Sequence, residues 1–447
     1  MKRHSKWIAV LCFIASVHVS AQTGSTEHWV TSWSAAPVLR PQAGATSPSA
    51  QPPAGTPQAP APPPITINGQ TVRQIVHVSL GGVRTRVVVT NVFGTAPLTI
   101  SKASIALRDK ETKIVPATAH ALSFGGRPST TIPPGAVMYS DPVDISVPAL
   151  SDVVVDLFFA DDLSKSPSPL TIHPGANQTN YISGPGDFTG AADLAAPSKL
   201  TSWVFLTAVE VAAPRQMSAV VTFGDSITDG TRSTTDANER WPDRLAKRLA
   251  AKNGNVRAVA NSGIAANRVL GDVSGAVFPF GFNAGANALA RFDRDVLAQP
   301  GITHVIVLEG INDIGLARQN PSPSADDLIA GYRQLIERAH AHGLKIYGGT
   351  LLPFEGANYF STEGEAKRQA VNDWLRKTSA YDGMIDFDAA VRDPENPSKI
   401  LAKYDSGDHL HPNDAGYDAM GDAINLKLFG LGAPQPAGKS KKLVTSR

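Results

Sequence analysis

The sequence predicts an α/β protein with two parts. A parallel sheet covered by helices on both faces is expected in the C-terminal half, and a β-sandwich in the N-terminal half. Between residues 66 and 211, short runs rich in β-branched and aromatic residues are separated by turns containing Gly and Pro. From Ser218 onward, apolar strand-like runs alternate with amphipathic helical stretches, which is the pattern of a parallel sheet between two helical layers.

The first 21 residues have the features of a signal peptide. MKRHSK is positively charged, WIAVLCFIASVHV is apolar, and Val19-Ser20-Ala21 fits a small-residue cleavage site. The apolar run is shorter than a membrane span requires, although an uncleaved anchor is an alternative. The single cysteine, Cys12, lies in this segment, so a mature chain would have no disulfide and no cysteine nucleophile. We therefore expect a secreted or periplasmic protein.

The N-terminal domain is predicted to be a jelly-roll-like β-sandwich over residues 28–215. Its strand-like runs are RQIVHVSL, TRVVVTNVFG, LTISKASIAL, DVVVDLFF and WVFLTAVEV. A plausible first strand, in WVTSWSAAP, is separated from them by residues 40–64, which are rich in Pro, Ala and Gly. A segment of this composition buries too little apolar surface to offset the conformational entropy that ordering would cost, so we predict a disordered surface insertion there.

The second domain is predicted over residues 218–431, followed by a disordered basic tail at 432–447. Its strands are AVVTF, VRAVANSG, HVIVLEG and KIYGGTLLP, and its helices are WPDRLAKRLAAK, ADDLIAGYRQLIERAHAHG, EGEAKRQAVNDWLRKT and NDAGYDAMGDAINLKLF. In the first helix, Trp241, Leu245 and Leu249 are four residues apart and share one face. Ligands of such sheets bind beyond the carboxyl ends of the strands, so polar residues there are candidates for a functional site.

Four polar clusters are expected at that edge, because each is interpreted as directly following a strand. Acyl transfer from an ester needs a nucleophile, a base, an orienting acid and donors for the oxyanion, and the clusters contain all of these residue types. The clusters are Gly224-Asp225-Ser226, Asn261-Ser262-Gly263, Gly310-Ile311-Asn312-Asp313 and Asp408-His409-Leu410-His411.

Ser226 is the predicted nucleophile, His411 the predicted base and Asp408 its orienting acid. Asp408 and His411 are three residues apart on a tight turn, so the carboxylate can reach one imidazole nitrogen while the other faces Ser226. The predicted oxyanion donors are the backbone amide of Ser226, Gly263 and the side-chain amide of Asn312. Simpler alternatives exist, since a serine or asparagine can be a cap or turn residue and a glycine can serve only a turn.

Other polar residues near these clusters have less specific interpretations. His409 and His411 form a His-x-His pair, but no acidic or histidine cluster is spaced to complete a metal site, so no metal ion is predicted. Asp225 and Asp313 fit a structural role as well as a catalytic one. The residues that could shape a pocket but are more simply packing residues are Trp241, Asn267, Arg268 and Phe354.

Taken in order, the four clusters resemble the sequence blocks of the SGNH (GDSL-type) serine hydrolases. FGDSITDG resembles block I, with isoleucine where the family name has leucine, and NSGIAANR resembles block II. GIND matches block III, and DHLHP matches block V. The resemblance implies a flavodoxin-like three-layer α/β/α domain, no cofactor and a serine mechanism. The overall layout is similar to the bacterial branch of the family that carries an N-terminal β domain.

These features predict an exported serine carboxylesterase that hydrolyses short acyl esters, with acetyl esters of polysaccharide as the leading substrate class. Lipase, lysophospholipase and thioesterase activities are alternatives within the same fold. A non-catalytic carbohydrate-binding protein is a more remote alternative, because every predicted catalytic residue is present. The net charge of +2 gives no reason to expect a nucleic-acid partner. No stable membrane insertion is expected after signal cleavage, and the oligomeric state does not follow from the sequence.

Overall fold

The computed structural model describes residues 27–42, 64–272, 285–316 and 322–431. The predicted signal peptide, most of the predicted Pro-rich insertion and the predicted basic tail lie outside the described residues. None of the helices in the described ranges has the length and apolar character needed to cross a membrane.

Strands dominate the N-terminal region, as the short β-branched runs predict. In chain order they are β1 (Trp29–Ser34), β2 (Val38–Arg40), β3 (Asn68–Val78), β4 (Thr85–Thr90), β5 (Leu98–Ile100), β6 (Lys102–Lys110), β7 (Lys113–Ile114), β8 (His120–Leu122), β9 (Thr130–Ile132), β10 (Val137–Tyr139), β11 (Ser151–Asp162), β12 (Leu170–Pro174), β13 (Asn180–Pro185), β14 (Ser198–Leu200), β15 (Ser202–Val204) and β16 (Leu206–Ala212).

These strands form antiparallel sheets that share one apolar core. One sheet has the order β1-β16-β4-β10, and a larger one has the order β14-β13-β3-β11-β6-β7 with β8 paired to β6. Val87 of β4, Val76 of β3 and Val155 of β11 belong to the same buried cluster, so the two sheets pack face to face. Strands β1 and β2 pair with β16 and β12, so the chain on both sides of the predicted insertion belongs to one region.

The C-terminal region contains a five-stranded parallel sheet with the order β18-β17-β19-β20-β21. This confirms the predicted fold class, and all seven residues of β17 are buried, as expected for a strand covered on both faces. The strands are β17 (Ser218–Gly224), β18 (Val256–Gly263), β19 (Ile302–Leu308), β20 (Lys345–Gly349) and β21 (Gly383–Ile385). The helices are α1 (Ser226–Asp229), α2 (Trp241–Ala250), α3 (Ala288–Phe292), α4 (Ile311–Gly315), α5 (Ala325–Ala341), α6 (Thr362–Lys377), α7 (Phe387–Val391) and α8 (Asp414–Ala423).

Helix faces and helix ends follow from local chemistry. Trp241, Leu245 and Leu249 of α2 are all fully buried, which confirms the predicted apolar face. The last predicted helix is shorter than the sequence pattern indicates. Helix α8 ends at Ala423, and a separate 3-10 turn begins where the side chain of Asn425 accepts a hydrogen bond from the Lys427 amide at 3.0 Å.

The N-terminal β region covers the edge of the parallel sheet formed by β18. Ser79 Oγ accepts from the Val259 amide at 2.9 Å and donates its proton to the Ser32 carbonyl of β1 at 2.5 Å, with the Val259 carbonyl oxygen 3.1 Å away. The Ser34 hydroxyl donates to the Asn261 carbonyl at 3.1 Å. These bonds satisfy backbone groups of an edge strand that would otherwise need water or another chain.

Candidate active site

Ser226 lies at a sharp turn from strand to helix. Strand β17 ends at Gly224, and helix α1 begins at Ser226, so this residue is at the carboxyl edge of the sheet. Asp225 caps the helix, because its Oδ1 accepts a hydrogen bond from the Ile227 amide at 2.9 Å. Gly224 is required at the turn, since a Cβ there would lie 2.2 Å from the Leu308 carbonyl oxygen.

The structure brings Ser226, His411 and Asp408 into one hydrogen-bonded chain. Ser226 Oγ lies 2.8 Å from His411 Nε2, and His411 Nδ1 lies 2.9 Å from Asp408 Oδ2. Asp408 Oδ1 accepts from the backbone amides of His411 at 2.8 Å and Leu410 at 3.1 Å. This arrangement places a hydroxyl, an imidazole and a carboxylate in the order that a general-base mechanism requires.

Asp408 is held as a carboxylate by its neighbours. Burial raises the pKa of Asp408, but the hydrogen bond and electrostatic attraction of the His411 imidazole, with the amides of His411 and Leu410, outweigh burial and hold this pKa well below its ordinary value. Arg232 Nε also donates to Asp408 Oδ2 at 3.1 Å. Arg232 has a φ of 75°, which is rare for a residue with a side chain, and sequence reasoning did not identify it.

The expectation that the Asp408–His411 cluster directly follows a strand is wrong. The cluster lies in the connection between α7 and α8, where an isolated antiparallel bridge joins Asp405 and Pro412. Asn413 then caps α8 by accepting a hydrogen bond from the Gly416 amide at 3.0 Å. The turn is therefore fixed from both sides by local hydrogen bonds, and tertiary packing brings it to the sheet edge.

His409 faces away from the triad toward Asp405. Its Nδ1 lies 2.5 Å from Asp405 Oδ2, and its side chain is 53% exposed. Within the ranges that the structure describes, no group of three or more His, Cys, Asp or Glu residues is arranged to hold a metal ion.

Asn312 lies in the first turn of α4, after β19. Its Nδ2 donates to the Asn267 carbonyl at 3.0 Å, which uses one of the two N–H groups of the side-chain amide. Its Oδ1 lies 3.5 Å from the hydroxyl of Tyr359, a partly buried residue that the sequence did not single out. The second N–H of Asn312 has no hydrogen-bond partner among the described residues.

Gly263 has a packing role in the structure. Its amide donates to Asn261 Oδ1 at 2.9 Å, so this N–H already has a protein partner. A Cβ on Gly263 would lie 2.4 Å from the Asp229 backbone nitrogen, so glycine permits the close approach of α1 to β18. Its assignment as an oxyanion donor stays a prediction.

Among the described residues, the backbone amide of Ser226, a predicted oxyanion donor, makes no hydrogen bond to another protein group. The same holds for the amide of Ala266, which has a φ of 64° and lies in the loop after β18. An amide without a protein acceptor is a candidate donor to an oxyanion. No sequence signal marks Ala266, because alanine does not indicate a left-handed conformation.

A fully buried arginine joins the ends of three strands below Ser226, the predicted nucleophile. Arg291 donates to the carbonyls of Gly224 at 2.9 Å and Ser262 at 2.8 Å, and its Nη2 lies 3.3 Å from Glu309 Oε2. Its Nε donates to Asn267 Oδ1 at 2.8 Å. These bonds fix the strand ends from which Ser226 and the oxyanion donors extend, so Asn267 acts here as a structural partner.

The buried carboxyl groups around Arg291 outnumber the single positive charge that this arginine supplies. Burial raises the pKa of Asp225 to about 7 and that of Asp313 to about 6. Burial, together with the charge of Asp225, raises the pKa of Glu309 well above its ordinary value. Asp313 accepts the amides of Val269 at 2.8 Å and Leu270 at 3.0 Å, so its observed role is to hold the loop after β18.

The remaining residues that could have shaped a pocket are placed in the interior or in loop contacts. Trp241 and Phe354 are fully buried, and the Arg268 guanidinium donates to the Leu316 carbonyl at 2.5 Å. Packing and loop support account for all three.

Comparison with known proteins finds a family match for the region that contains these residues. The sequence pattern of the GDSL-like lipase/acylhydrolase family matches residues 222–419, from β17 to α8. No curated protein matches the chain significantly.

Solved structures resemble about half of the chain. A carbohydrate acetylesterase family member from Sinorhizobium meliloti is 17% identical over 48% of this chain and 100% of its own, with a TM-score of 0.38. A catalytic mutant of an acetylxylan esterase from Geobacillus stearothermophilus is 22% identical over 48% of this chain and 94% of its own, with a TM-score of 0.35. A GDSL-like lipase from Bacteroides thetaiotaomicron is 20% identical over 48% of this chain and 90% of its own, with a TM-score of 0.34.

The family match contains Ser226, Gly263, Asn312, Asp408 and His411 within its bounds. Residues 222–419 therefore form a GDSL-like lipase/acylhydrolase domain, and the protein is an ester hydrolase.

Proposed function

We propose that this protein is an exported serine carboxylesterase that removes short acyl groups, acetyl above all, from acylated carbohydrate. The observation that carries the catalytic part of the proposal is the hydrogen-bonded chain from Ser226 through His411 to Asp408, with distances of 2.8 and 2.9 Å. Export is supported by the charged and apolar N-terminal sequence that ends at Ala21.

In the proposed first step, His411 Nε2 takes the proton from Ser226 Oγ as this oxygen bonds to the ester carbonyl carbon. The carbonyl oxygen becomes an oxyanion, which the Ser226 and Ala266 amides and the free N–H of Asn312 can stabilise. When the tetrahedral intermediate collapses, the bond to the alcohol breaks, and His411 gives its proton to the departing oxygen. Asp408 stabilises the imidazolium between these two transfers.

The acyl group is then bound to Ser226 as an ester. His411 takes a proton from water, the resulting oxygen nucleophile attacks the acyl carbon, and collapse returns the proton to Ser226 Oγ. A carboxylic acid is released, and the enzyme regains its starting state.

The polarity of the site's surroundings supports a short acyl group and a polar alcohol. Arg232 and His409, two exposed residues beside the triad, are both polar. The large apolar side chains that are exposed among the described residues all lie in the N-terminal region: Val83, Val115, Val137 and Tyr139. A long acyl chain would gain about 25 cal/mol for each Å² of apolar surface buried, and the described rim of the site offers little such surface.

Hydrolysis of p-nitrophenyl esters from acetyl to dodecanoyl tests the proposal, with Ser226→Ala as the control. We expect the highest kcat/KM for acetyl, and loss of this activity in the variant. Release of acetate from acetylated xylan, compared with choline ester and phospholipid substrates, then tests the alcohol part. Preference for dodecanoyl would replace the substrate class with lipids, and glycan binding without turnover would favour the non-catalytic alternative.

A further inference from the structure

The N-terminal β region contacts the segment that follows the nucleophile. The loop between β12 and β13 supplies Asn177, whose Nδ2 donates to the Gly230 carbonyl at 2.7 Å. Arg240 reaches back to this loop and donates to the Ala176 carbonyl at 2.7 Å. The end of α1 is therefore held by residues that lie outside the catalytic fold.

His173, on β12, makes the most buried of these contacts. Its Nε2 lies 3.0 Å from Asp229 Oδ1, and its Nδ1 lies 2.8 Å from the Ala36 carbonyl oxygen. The side chains of His173 and Asp229 are each only 4% exposed. Because a carbonyl oxygen and a carboxylate both accept hydrogen bonds, the imidazole donates from both nitrogens and carries a positive charge.

The surroundings of His173 are consistent with that charge. Burial lowers the pKa of His173, but the charge and hydrogen bond of Asp229 and the hydrogen bond to Ala36 outweigh burial, so this pKa is raised above its ordinary value. The positive charge of Arg240 opposes the shift. The pair is thus a buried ion pair between the two regions of the protein.

Asp229 is close enough to the nucleophile for its position to matter. It is the last residue of α1, and Ser226 is the first. A helix of four residues has too few internal hydrogen bonds to hold itself in place, so its position depends on its contacts. On the other side, the Asp229 backbone lies against Gly263, so α1 is held between β18 and His173.

We propose that His173 is a positioning residue for Ser226, and that the N-terminal β region forms part of the scaffold of the active site. The ion pair with Asp229 fixes the one-turn helix, and through it the distance from Ser226 Oγ to His411 Nε2. This inference rests on the proposed function, because it concerns the reactivity of the proposed nucleophile. It assigns a role to a histidine outside the matched family region.

The chain supplies a matched control. His77 Nδ1 lies 2.7 Å from Asp152 Oδ1, so this second pair has the same chemistry as the first. Both partners are in the N-terminal region, on β3 and β11, and no hydrogen bond of either side chain with α1 is found among the described residues. His77→Gln therefore removes a second imidazole–carboxylate contact without changing the proposed support of Ser226.

The experiment compares His173→Gln, Asp229→Asn and His77→Gln with the wild-type enzyme. A fluorophosphonate that labels the active serine to completion counts the functional sites, and kcat for p-nitrophenyl acetate is expressed per labelled serine. We expect His173→Gln to lower this kcat about 10- to 100-fold with KM within about twofold, because a small misplacement of a reacting group has a cost of that size. Asp229→Asn should change kcat in the same direction, and His77→Gln by less than about twofold.

Counting labelled serines distinguishes a misplaced Ser226 from a loss of folded protein. A loss of folded protein lowers the number of labelled sites but leaves kcat per labelled serine unchanged. A folded His173→Gln enzyme with the wild-type kcat per labelled serine would overturn the inference. If His173→Gln does not fold, an unchanged kcat for Asp229→Asn overturns it. A wild-type enzyme inactive on every ester contradicts the proposed function instead. In that case the rate of fluorophosphonate labelling becomes the measure, and equal rates in wild type and variants overturn the positioning role.

Discussion

At the scale of single residues, the chemistry depends on one continuous set of hydrogen bonds from Ser226 to Arg232. The Asp408 carboxylate accepts from the His411 imidazole, from two backbone amides and from the Arg232 guanidinium. Each donor favours the ionised carboxylate, which in the proposed mechanism stabilises the imidazolium formed during proton transfer. The proposed reactivity of Ser226 is therefore a property of the whole set and cannot be divided among its members.

The first prediction tests this interdependence. Ser226→Ala and His411→Ala should each lower kcat/KM for p-nitrophenyl acetate by about 10³-fold or more, because each removes a group that the others need. The double variant should be about as slow as the slower single variant. If the two losses multiplied, Ser226 and His411 would act independently and the assignment of the triad would be wrong.

The second prediction concerns the buried carboxyl of Asp225. Its pKa is raised from 3.8 to about 7, so between these pH values the folded state keeps a proton that the unfolded state has released. The free energy of unfolding therefore falls as pH rises through this range, and the full penalty is present above pH 7. Asp225→Asn keeps the acceptor for the Ile227 amide but removes the charge. We expect its stabilising effect to be about 2 kcal/mol larger at pH 8 than at pH 5.

Urea unfolding at the two pH values measures this difference. Asp144→Asn is the control, because the Asp144 side chain is 86% exposed and its charge costs little on folding. An effect of Asp225→Asn that is equal at pH 5 and pH 8 would show that the carboxyl is ionised throughout this range.

At the scale of elements, the position of α1 depends on how closely it packs against β18. Gly263 and the Asp229 backbone touch across this contact, and Arg291 joins the ends of β17 and β18 beneath it. The apolar sequence of the strands determines where they form, whereas the position of the one-turn helix α1 is determined by the residues that contact it. A change at the contact should therefore affect activity more than the content of secondary structure.

The third prediction is that Gly263→Ala both destabilises and slows the enzyme. The added methyl would overlap the Asp229 nitrogen, so α1 must move, at a cost of about 1–3 kcal/mol. The Gly263 amide remains, so a fall in kcat would be due to displacement of α1. Gly343→Ala is the control: its φ of +70° costs about 1 kcal/mol, but no atom lies within 4 Å of the added methyl. Wild-type stability and kcat in Gly263→Ala would show that α1 tolerates the overlap.

At the scale of the whole molecule, the N-terminal β region and the parallel sheet are joined along β18. The Ser79 hydroxyl takes the place of a neighbouring strand at Val259, because its Oγ accepts from the Val259 amide at 2.9 Å while it donates to the Ser32 carbonyl of β1 at 2.5 Å. Ile264, which follows β18, packs in the apolar core of the N-terminal region. These contacts should make the two regions unfold together.

The fourth prediction follows from this contact. Ser79→Val leaves the Val259 amide without its acceptor in a buried place, which should cost about 1–3 kcal/mol. We expect the unfolding transitions followed by tryptophan fluorescence and by circular dichroism to coincide in the wild type and to separate in the variant. Ser151→Val is the control, because that hydroxyl bonds only the Pro148 carbonyl in a surface turn. Unchanged stability in Ser79→Val would mean that water replaces the hydroxyl.

The sequence by itself determined those features that depend on residues near one another in the chain. The apolar runs of β17 to β20 predict a buried parallel sheet, the Gly-Asp-Ser cluster predicts a serine directly after a strand, and the spacing of Asp408 and His411 predicts their hydrogen bond. Each of these follows from local periodicity or local geometry. The side chain of this serine is nevertheless buried in the structure. The end of α8 at Ala423 and the course of the chain before Asp408 were not predicted, because a capping side chain and a loop with little regular structure leave weak patterns.

Only the tertiary structure decided which residues support the site from a distance. Arg291 bonds strand ends up to 67 residues away, and His173 bonds Asp229 across 56 residues and between two regions. The Gly263 amide is bonded to Asn261, while the Ala266 amide is free of partners among the described residues. A lone arginine, histidine or alanine has no distinguishing pattern in the sequence. The role of such a residue arises from its burial, because an unpaired charge or amide in the interior is costly. Its partners are therefore residues that the fold brings close, at any distance along the chain.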